Sequence, residues 1–261
     1  MSASLSRQIG GAISKAIPVL VCVALWQAIT TLGLTDPAYL PGLGAIGAAF
    51  YDLAGERTIY VELGVSLLTA MAGLGTGIVI GVPLGTAMAL SKAADGFFGP
   101  LIKATYSLPK SALIPLFVLW FGVGGVTNVL AAVLTTLLPI VIYTYHGVHG
   151  VPQVFLWSAQ AMGTPQAKLL SRVIIPCALP SILTGIRIAL GFSFIVTIAA
   201  EMIVSNHGIG KLMFLFGDSG AYNYMFAAVI TFVVCAFVAD RLLVLLTAHI
   251  LRWQDELDQH A

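Results

Sequence analysis

The sequence predicts an all-α, polytopic membrane protein with six transmembrane helices. Three observations predict it. Its 261 residues hold only 12 Lys or Arg and 11 Asp or Glu, so charged side chains make up 9%, where a soluble domain carries about 25%. The hydrophobic set makes up 59%, which also excludes disorder, since disorder needs low hydrophobicity. The few charges are clustered. They leave apolar runs as long as the roughly 20 residues that a helix needs to cross a hydrocarbon core of about 30 Å. The net charge of +1 gives no polybasic case for nucleic acid as a partner. Cys22, Cys177 and Cys235 lie far apart and read as small hydrophobes, not as a disulfide or metal framework.

Residues 16–35 hold no charge and give the first crossing, near 16–34. The run is longer than a signal-peptide core, so it reads as an uncleaved helix. Residues 63–91 give the second, near 63–90. The charge-free stretch 111–167 is too long for one crossing and breaks at Gly124-Gly125 and between Gly147 and Pro152. It supplies part of a third crossing, near 98–122, and a fourth, near 126–146. The third reaches spanning length only by including Lys103, Lys110, Pro100, Pro109 and Pro115. Proline removes a backbone donor, and broken backbone at membrane depth survives inside protein or along a cavity. This segment is therefore expected to be interior. The fifth crossing, near 178–203, carries Arg187, and the sixth lies near 223–247. The organisation expected is an N-terminal segment 1–15, one membrane domain 16–250 and a tail 251–261.

Lys and Arg in short loops set orientation. Arg7, Lys15, Lys92, Lys168, Arg172 and Arg252 fall on one side of the six crossings, and Arg57 and Lys211 on the other. Both termini are therefore expected in the cytosol. Gly73, Gly77, Gly81 and Gly85 recur every four residues and form one smooth ridge. In lipid no hydrophobic force draws helices together, so small residues that let backbones approach do so instead. The ridge predicts close packing against another helix, within the chain or across a dimer.

Ionisable groups at membrane depth are functional candidates. Glu201 falls near the outer end of the fifth crossing and reads either as a hydrogen-bonded structural carboxylate or as a pathway or gating residue. Lys103, Arg187 and Arg241 read as snorkelling cations. Asp240 and Arg241 are neighbours in sequence and do not face each other on a helix, so their partners are sought elsewhere. His146 and His149 have no nearby Cys, Asp or Glu to complete a metal site, and they read as interfacial residues at a helix C-terminus. No arrangement for catalysis appears, and no GxxxxGK[ST] loop for ATP phosphates, so this chain is not expected to be an enzyme or to bind a cofactor.

The stretch 147–179 carries the most information. Pro152 opens a helix, Gly163-Thr164-Pro165 ends it and starts another, and Lys168 and Arg172 follow at a spacing of four. A cytosolic helix–Gly–helix between two crossings is a surface for a cytosolic partner. Trp157-Ser158-Ala159, then Gly163, then Val173-Ile174-Ile175-Pro176 match the spacing of a cytoplasmic signature: E-A-A, three residues, G, nine residues, I-x-L-P. Ala159, Gly163 and Pro176 are identical to it, and Trp157 replaces the Glu. In these residues the chain resembles the integral permeases of bacterial ATP-binding cassette importers. Residues 178–203, 108–124 and the HGIGKLM run from 207 look like the branch that serves nitrate, taurine, aliphatic sulfonates and bicarbonate.

The resemblance implies a type I importer permease in a bacterial inner membrane, assembled as a homodimer. Two cytosolic ATPase subunits would bind ATP and Mg below it, and a periplasmic or lipid-anchored binding protein would deliver a small solute, such as an anion. The loop 152–176 would be the coupling loop. Ala159 and Gly163 would give close backbone approach to the ATPase, and Pro176 would fix the exit. Trp157 and Ser158 stand where the coupling contacts fall. The other reading of the residues is an ion-coupled carrier or channel acting alone, with Glu201 or Asp240 as its driving carboxylate.

Overall fold

The computed structural model describes residues 2–253, with side chains from residue 17 onward, Ala167 excepted. The expected tail is thus described only in its first residues, and Arg7 and Lys15 lie outside the described side chains. Every regular element among the described residues is helical. Four helices are long and apolar enough to cross a membrane. They are α3 (Arg57–Leu90), α6 (Gly125–His149), α9 (Ile175–Val204, continuous from Leu170) and α11 (Tyr222–Ile250). They coincide with the second, fourth, fifth and sixth expected crossings. The first falls on α1 (Ser2–Thr31), whose side chains are described from Ile17 onward.

The third crossing is not one helix. It comprises α4 (Lys92–Tyr106), a 3-10 turn (Lys110–Leu113) and α5 (Ile114–Phe121). Pro109 sits in the break, and Pro115 sits in the first turn of α5, where a missing N–H leaves no helical bond unmade. The expectation that this segment is interior is corrected. α4 buries no residue, and Ile114 is the buried residue of α5. Ile114 packs with Phe117 against Ala131, Val196 and Ala200. α4 and Lys110 border cavities, the other condition under which irregular backbone persists at membrane depth. Two short helices were not anticipated, α2 (Leu43–Gly55) and α10 (Ile209–Asp218). Their 13 and 10 residues are too few to cross.

The chain forms two compact units. One holds the residues up to 59 together with 213–231. Within it the Trp26 indole donates to the Pro41 carbonyl at 3.1 Å and meets the Phe226 ring edge-on at 5.2 Å. Tyr224 donates from its hydroxyl to Asp52 at 3.1 Å.

The other unit holds residues 60–212 and 232 onward, and α6 packed along α9 is its centre. Small residues set that contact. A Cβ on Gly185 would lie 2.6 Å from Tyr143 Cβ, and one on Gly147 would lie 2.7 Å from Ser181 Cβ. Ser181 donates to the Tyr143 carbonyl at 3.1 Å. The glycine ridge of α3 lies on α6 in the same way. A Cβ on Gly81 would sit 2.8 Å from Ile140, and one on Gly85 would sit 2.6 Å from the Val141 carbonyl oxygen. Gly73 and Gly77 meet Ala132 and Thr136. Hydroxyls finish the contacts, with Thr136 of α6 donating to Gly73 O of α3 at 3.3 Å and Ser193 of α9 donating to Ala70 O of α3 at 2.7 Å. These two hydroxyls thus meet carbonyls, as burial in an apolar medium favours.

Arg187 does not merely snorkel. Its guanidinium grips Asp240 with two bonds, Nε to Oδ1 at 2.7 Å and Nη2 to Oδ2 at 3.0 Å. Asp240 thereby finds the distant partner that its place on the helix demanded. Arg241, its neighbour, also approaches it at 3.9 Å, contrary to expectation, and lies over the Phe237 ring at 4.8 Å.

Candidate functional site

Two sites emerge from the residues singled out in the sequence. The first is the helix–Gly–helix segment. α7 (Gln153–Ala161) starts after Pro152, whose φ of −61° and extended ψ suit the residue before a helix. Its end is closed by Met162 N to Ser158 O at 3.0 Å and Thr164 N to Ala159 O at 2.9 Å. This turn carries Gly163 to φ +82°, the left-handed region that glycine occupies without a Cβ penalty. A Cβ on Gly163 would meet nothing within 4 Å. Within this chain the glycine therefore serves the turn and not a close contact.

α8 (Gln166–Leu169) follows and runs through a π-helical turn, Leu170–Ile174, into α9. Pro176 stands in the first turn of α9. Ala159 is buried and faces the chain, whereas Ser158 and Gly163 are exposed. Leu156 packs on a cluster of Val148, Val151, Ile174, Ala178 and Ile182. That cluster joins the end of α6 to the start of α9. On the opposite side the segment leaves large apolar groups uncovered, Trp157 at 64% and Met162 at 80% exposure, with Val154 and Phe155 beside them.

The second site surrounds Glu201, which is 1% exposed. Its Oε2 accepts from the Ser66 hydroxyl at 2.6 Å and from Gly210 N–H at 3.0 Å. Ser66 Oγ in turn accepts from Ile209 N–H at 2.8 Å. A second carboxylate, Glu62, accepts from Gly208 N–H at 2.5 Å and faces the His207 ring nitrogen at 3.4 Å. Two carboxylates, one on α3 and one on α9, thus hold the backbone of residues 207–210. The glycines are required here. Gly208 has φ +106°, and a Cβ on it would overlap the Glu201 carboxyl group. A Cβ on Gly210 would lie 2.7 Å from the Ile198 carbonyl oxygen. Ser205 continues the clasp, accepting from the Asn128 amide at 3.3 Å and donating to His207 O at 2.5 Å.

Ser66 and Glu62 are partners that sequence reasoning missed. The one signal was a lone Ser in an apolar run. The structure does not bring Glu201 together with Asp240 and Arg187, whose pair lies on the middle of α9 and the later part of α11. His146 and His149 flank Tyr145, which stacks on the His149 ring at 5.6 Å.

These features describe a multi-pass membrane protein with a helix–Gly–helix segment between two of its crossings. A family model described as "Binding-protein-dependent transport system inner membrane component" matches residues 77–252, and the chain belongs to that family. Membership makes it a membrane permease of a transport system, a non-catalytic subunit. The chain is 32% identical over 257 residues to the taurine transport system permease protein TauC of Escherichia coli (strain K12), covering 97% of this chain and 92% of that protein. It is 30% identical over 235 residues to a putative aliphatic sulfonates transport permease protein, SsuC, of Bacillus subtilis (strain 168), covering 90% and 85%. Its fold resembles a chain of the MetNI methionine ABC transporter in an inward facing conformation, with a TM-score of 0.63, 17% identity, and coverage of 74% of this chain and 94% of that one.

Proposed function

We propose that this permease forms, as a homodimer, the translocation pathway of an ATP-binding cassette importer for a small anion such as a sulfonate, taurine, nitrate or bicarbonate. A cytosolic ATPase, which binds ATP and Mg, drives it, and a periplasmic or lipid-anchored binding protein supplies the solute. The membrane domain 16–250 lies in a bacterial inner membrane with both termini in the cytosol. The observation that carries the coupling is the uncovered apolar face of α7 beside the glycine turn. Trp157, Ser158 and Gly163 present themselves to the ATPase, Ala159 lets α7 lie close on its own body, and Pro176 begins the helix that receives the load. Trp157, in place of the signature Glu, would fill a pocket where a polar contact stands in the family. The solute class rests on the resemblance and on the names of the relatives. The same relatives favour an importer over an ion-coupled carrier acting alone.

Gly163→Asp tests the coupling. The left-handed conformation tolerates Asp better than most residues, so the change puts bulk and charge on the surface with little disturbance of the turn. The variant is expected to insert normally, to lose co-purification with its ATPase and to lose uptake. Normal ATPase binding by the variant would refute the assignment.

A further inference from the structure

A cavity of about 460 Å³ opens beside the irregular third segment, lined by Tyr106, Lys110, Thr135, Pro139, Tyr143 and Phe192 among others. Its size falls within the range of small-molecule sites. Thr135 and Pro139 lie near the middle of α6 and Phe192 near the middle of α9, so the cavity reaches into the membrane-spanning part of the fold, with Tyr143 toward the end of α6 that bears His146. A charge at that depth is costly and marks a solute path by default. Lys110 supplies the only charge among the described lining residues. Its ammonium spends one donor on the Tyr106 carbonyl at 2.8 Å and lies over the Tyr106 ring at 5.6 Å. An ammonium has three donors, so two remain to be met. Across the cavity, Pro139 has no N–H to offer the Thr135 carbonyl, which α-helical geometry would otherwise pair with it. An adjoining cavity of about 440 Å³ shares Tyr106 and Ile142 with this one and is lined by both Asp95 and Lys103. There the charges oppose each other and favour neither sign.

We infer that the cavity at Lys110 is a station for the anionic group of the transported solute, held by the free ammonium donors, with the Thr135 carbonyl ready for a donor on the same solute. A small sulfonate, with or without an amino group, fits this chemistry. The inference rests on the permease reading but not on the coupling loop.

The test measures the charge preference of the cavity itself. In a chain with Cys22, Cys177 and Cys235 changed to Ser, Ile188→Cys places a reporter thiol on the lining of this cavity and not of the adjoining one. The protein is held in phosphatidylcholine discs. It is labelled with 2-sulfonatoethyl methanethiosulfonate and, separately, with its trimethylammonium counterpart. Thiol reactivity cancels in the ratio of the two rates. The anionic reagent is expected to be favoured, and Lys110→Gln is expected to lower the ratio about tenfold, the effect of one cation a few ångströms away in a partly wet site. Lys110→Arg keeps the preference and guards against a merely misfolded variant, and Lys92→Gln leaves it unchanged. Excess ethanesulfonate is expected to slow labelling beyond an equal ionic strength of potassium chloride. A ratio that ignores Lys110 would overturn the proposal. So would protection given only by adding phosphatidylglycerol to the discs, which would assign the site to lipid. Neither measurement needs the ATPase, so failure here is distinct from failure of the Gly163→Asp test.

Discussion

Glu201→Ala removes the acceptor on which the 207–210 clasp depends. Two donors lose their partner at once, the Ser66 hydroxyl and the Gly210 N–H. Both residues are buried, so water does not replace the lost carboxylate without opening the loop. Each orphaned buried donor costs about 1–3 kcal/mol, giving about 2–6 kcal/mol for the pair. The loop should therefore open more easily, while the four long helices stay packed. Hydrogen exchange read by mass spectrometry on peptides covering 205–212 is the assay. Even the lower bound raises exchange at Gly210 roughly thirtyfold, at about 1.4 kcal/mol per factor of ten. Glu201→Gln is the control. It keeps an oxygen for both donors and sets its amide where Oε1 has no partner, so its exchange should fall between those of wild type and Ala. Equal exchange at Gly210 in wild type and Glu201→Ala would refute the clasp. Faster exchange spread over α6 and α9 would refute its being local.

Gly85→Val drives a side chain against the Val141 carbonyl of α6, which cannot rotate away. Overpacking of this kind costs about 1–3 kcal/mol and should lower the thermal unfolding midpoint of the purified permease. Arg187→Ala and Asp240→Ala should each lower the same midpoint, and the double variant should fall short of their sum. Strict additivity would mean that the pair is not coupled.

Much of the fold was legible because lipid imposes a simple rule. A run of some 20 apolar residues has to be helical, since helices satisfy their own backbone, and the four longest runs became α3, α6, α9 and α11. The glycine spacing on α3 likewise foretold a close contact, though not its partner, because a ridge records what it permits and not what it meets. What stayed hidden was the pairing of residues far apart in sequence. Ser66 and Glu201 are separated by 135 positions, and nothing local in either segment names the other. The third segment misled for a different reason. Its prolines signal broken backbone, which is equally consistent with burial and with a cavity wall, and only the folded chain separates the two.

The coupling loop and the Lys110 cavity are joined by the packing between them. α7 rests through Leu156 on a cluster contributed by the end of α6 and the start of α9. Those two helices also form one wall of the cavity, through Thr135 and Tyr143 on α6 and Phe192 on α9. Gly147 against Ser181 and Gly185 against Tyr143 leave no room for one helix to slide past the other, because close-packed interiors transmit displacement and do not absorb it. A load applied at Trp157 would therefore move α6 and α9 together. Tyr106 belongs to α4, none of whose residues is buried, and Lys110 to the turn that leads from it into Ile114. On the proposed reading, ATPase closure shifts one wall of the cavity against the other, and the distance from Lys110 to the Thr135 carbonyl is the quantity that changes. A solute held between those two groups would feel the stroke directly, without any residue of the coupling loop approaching it.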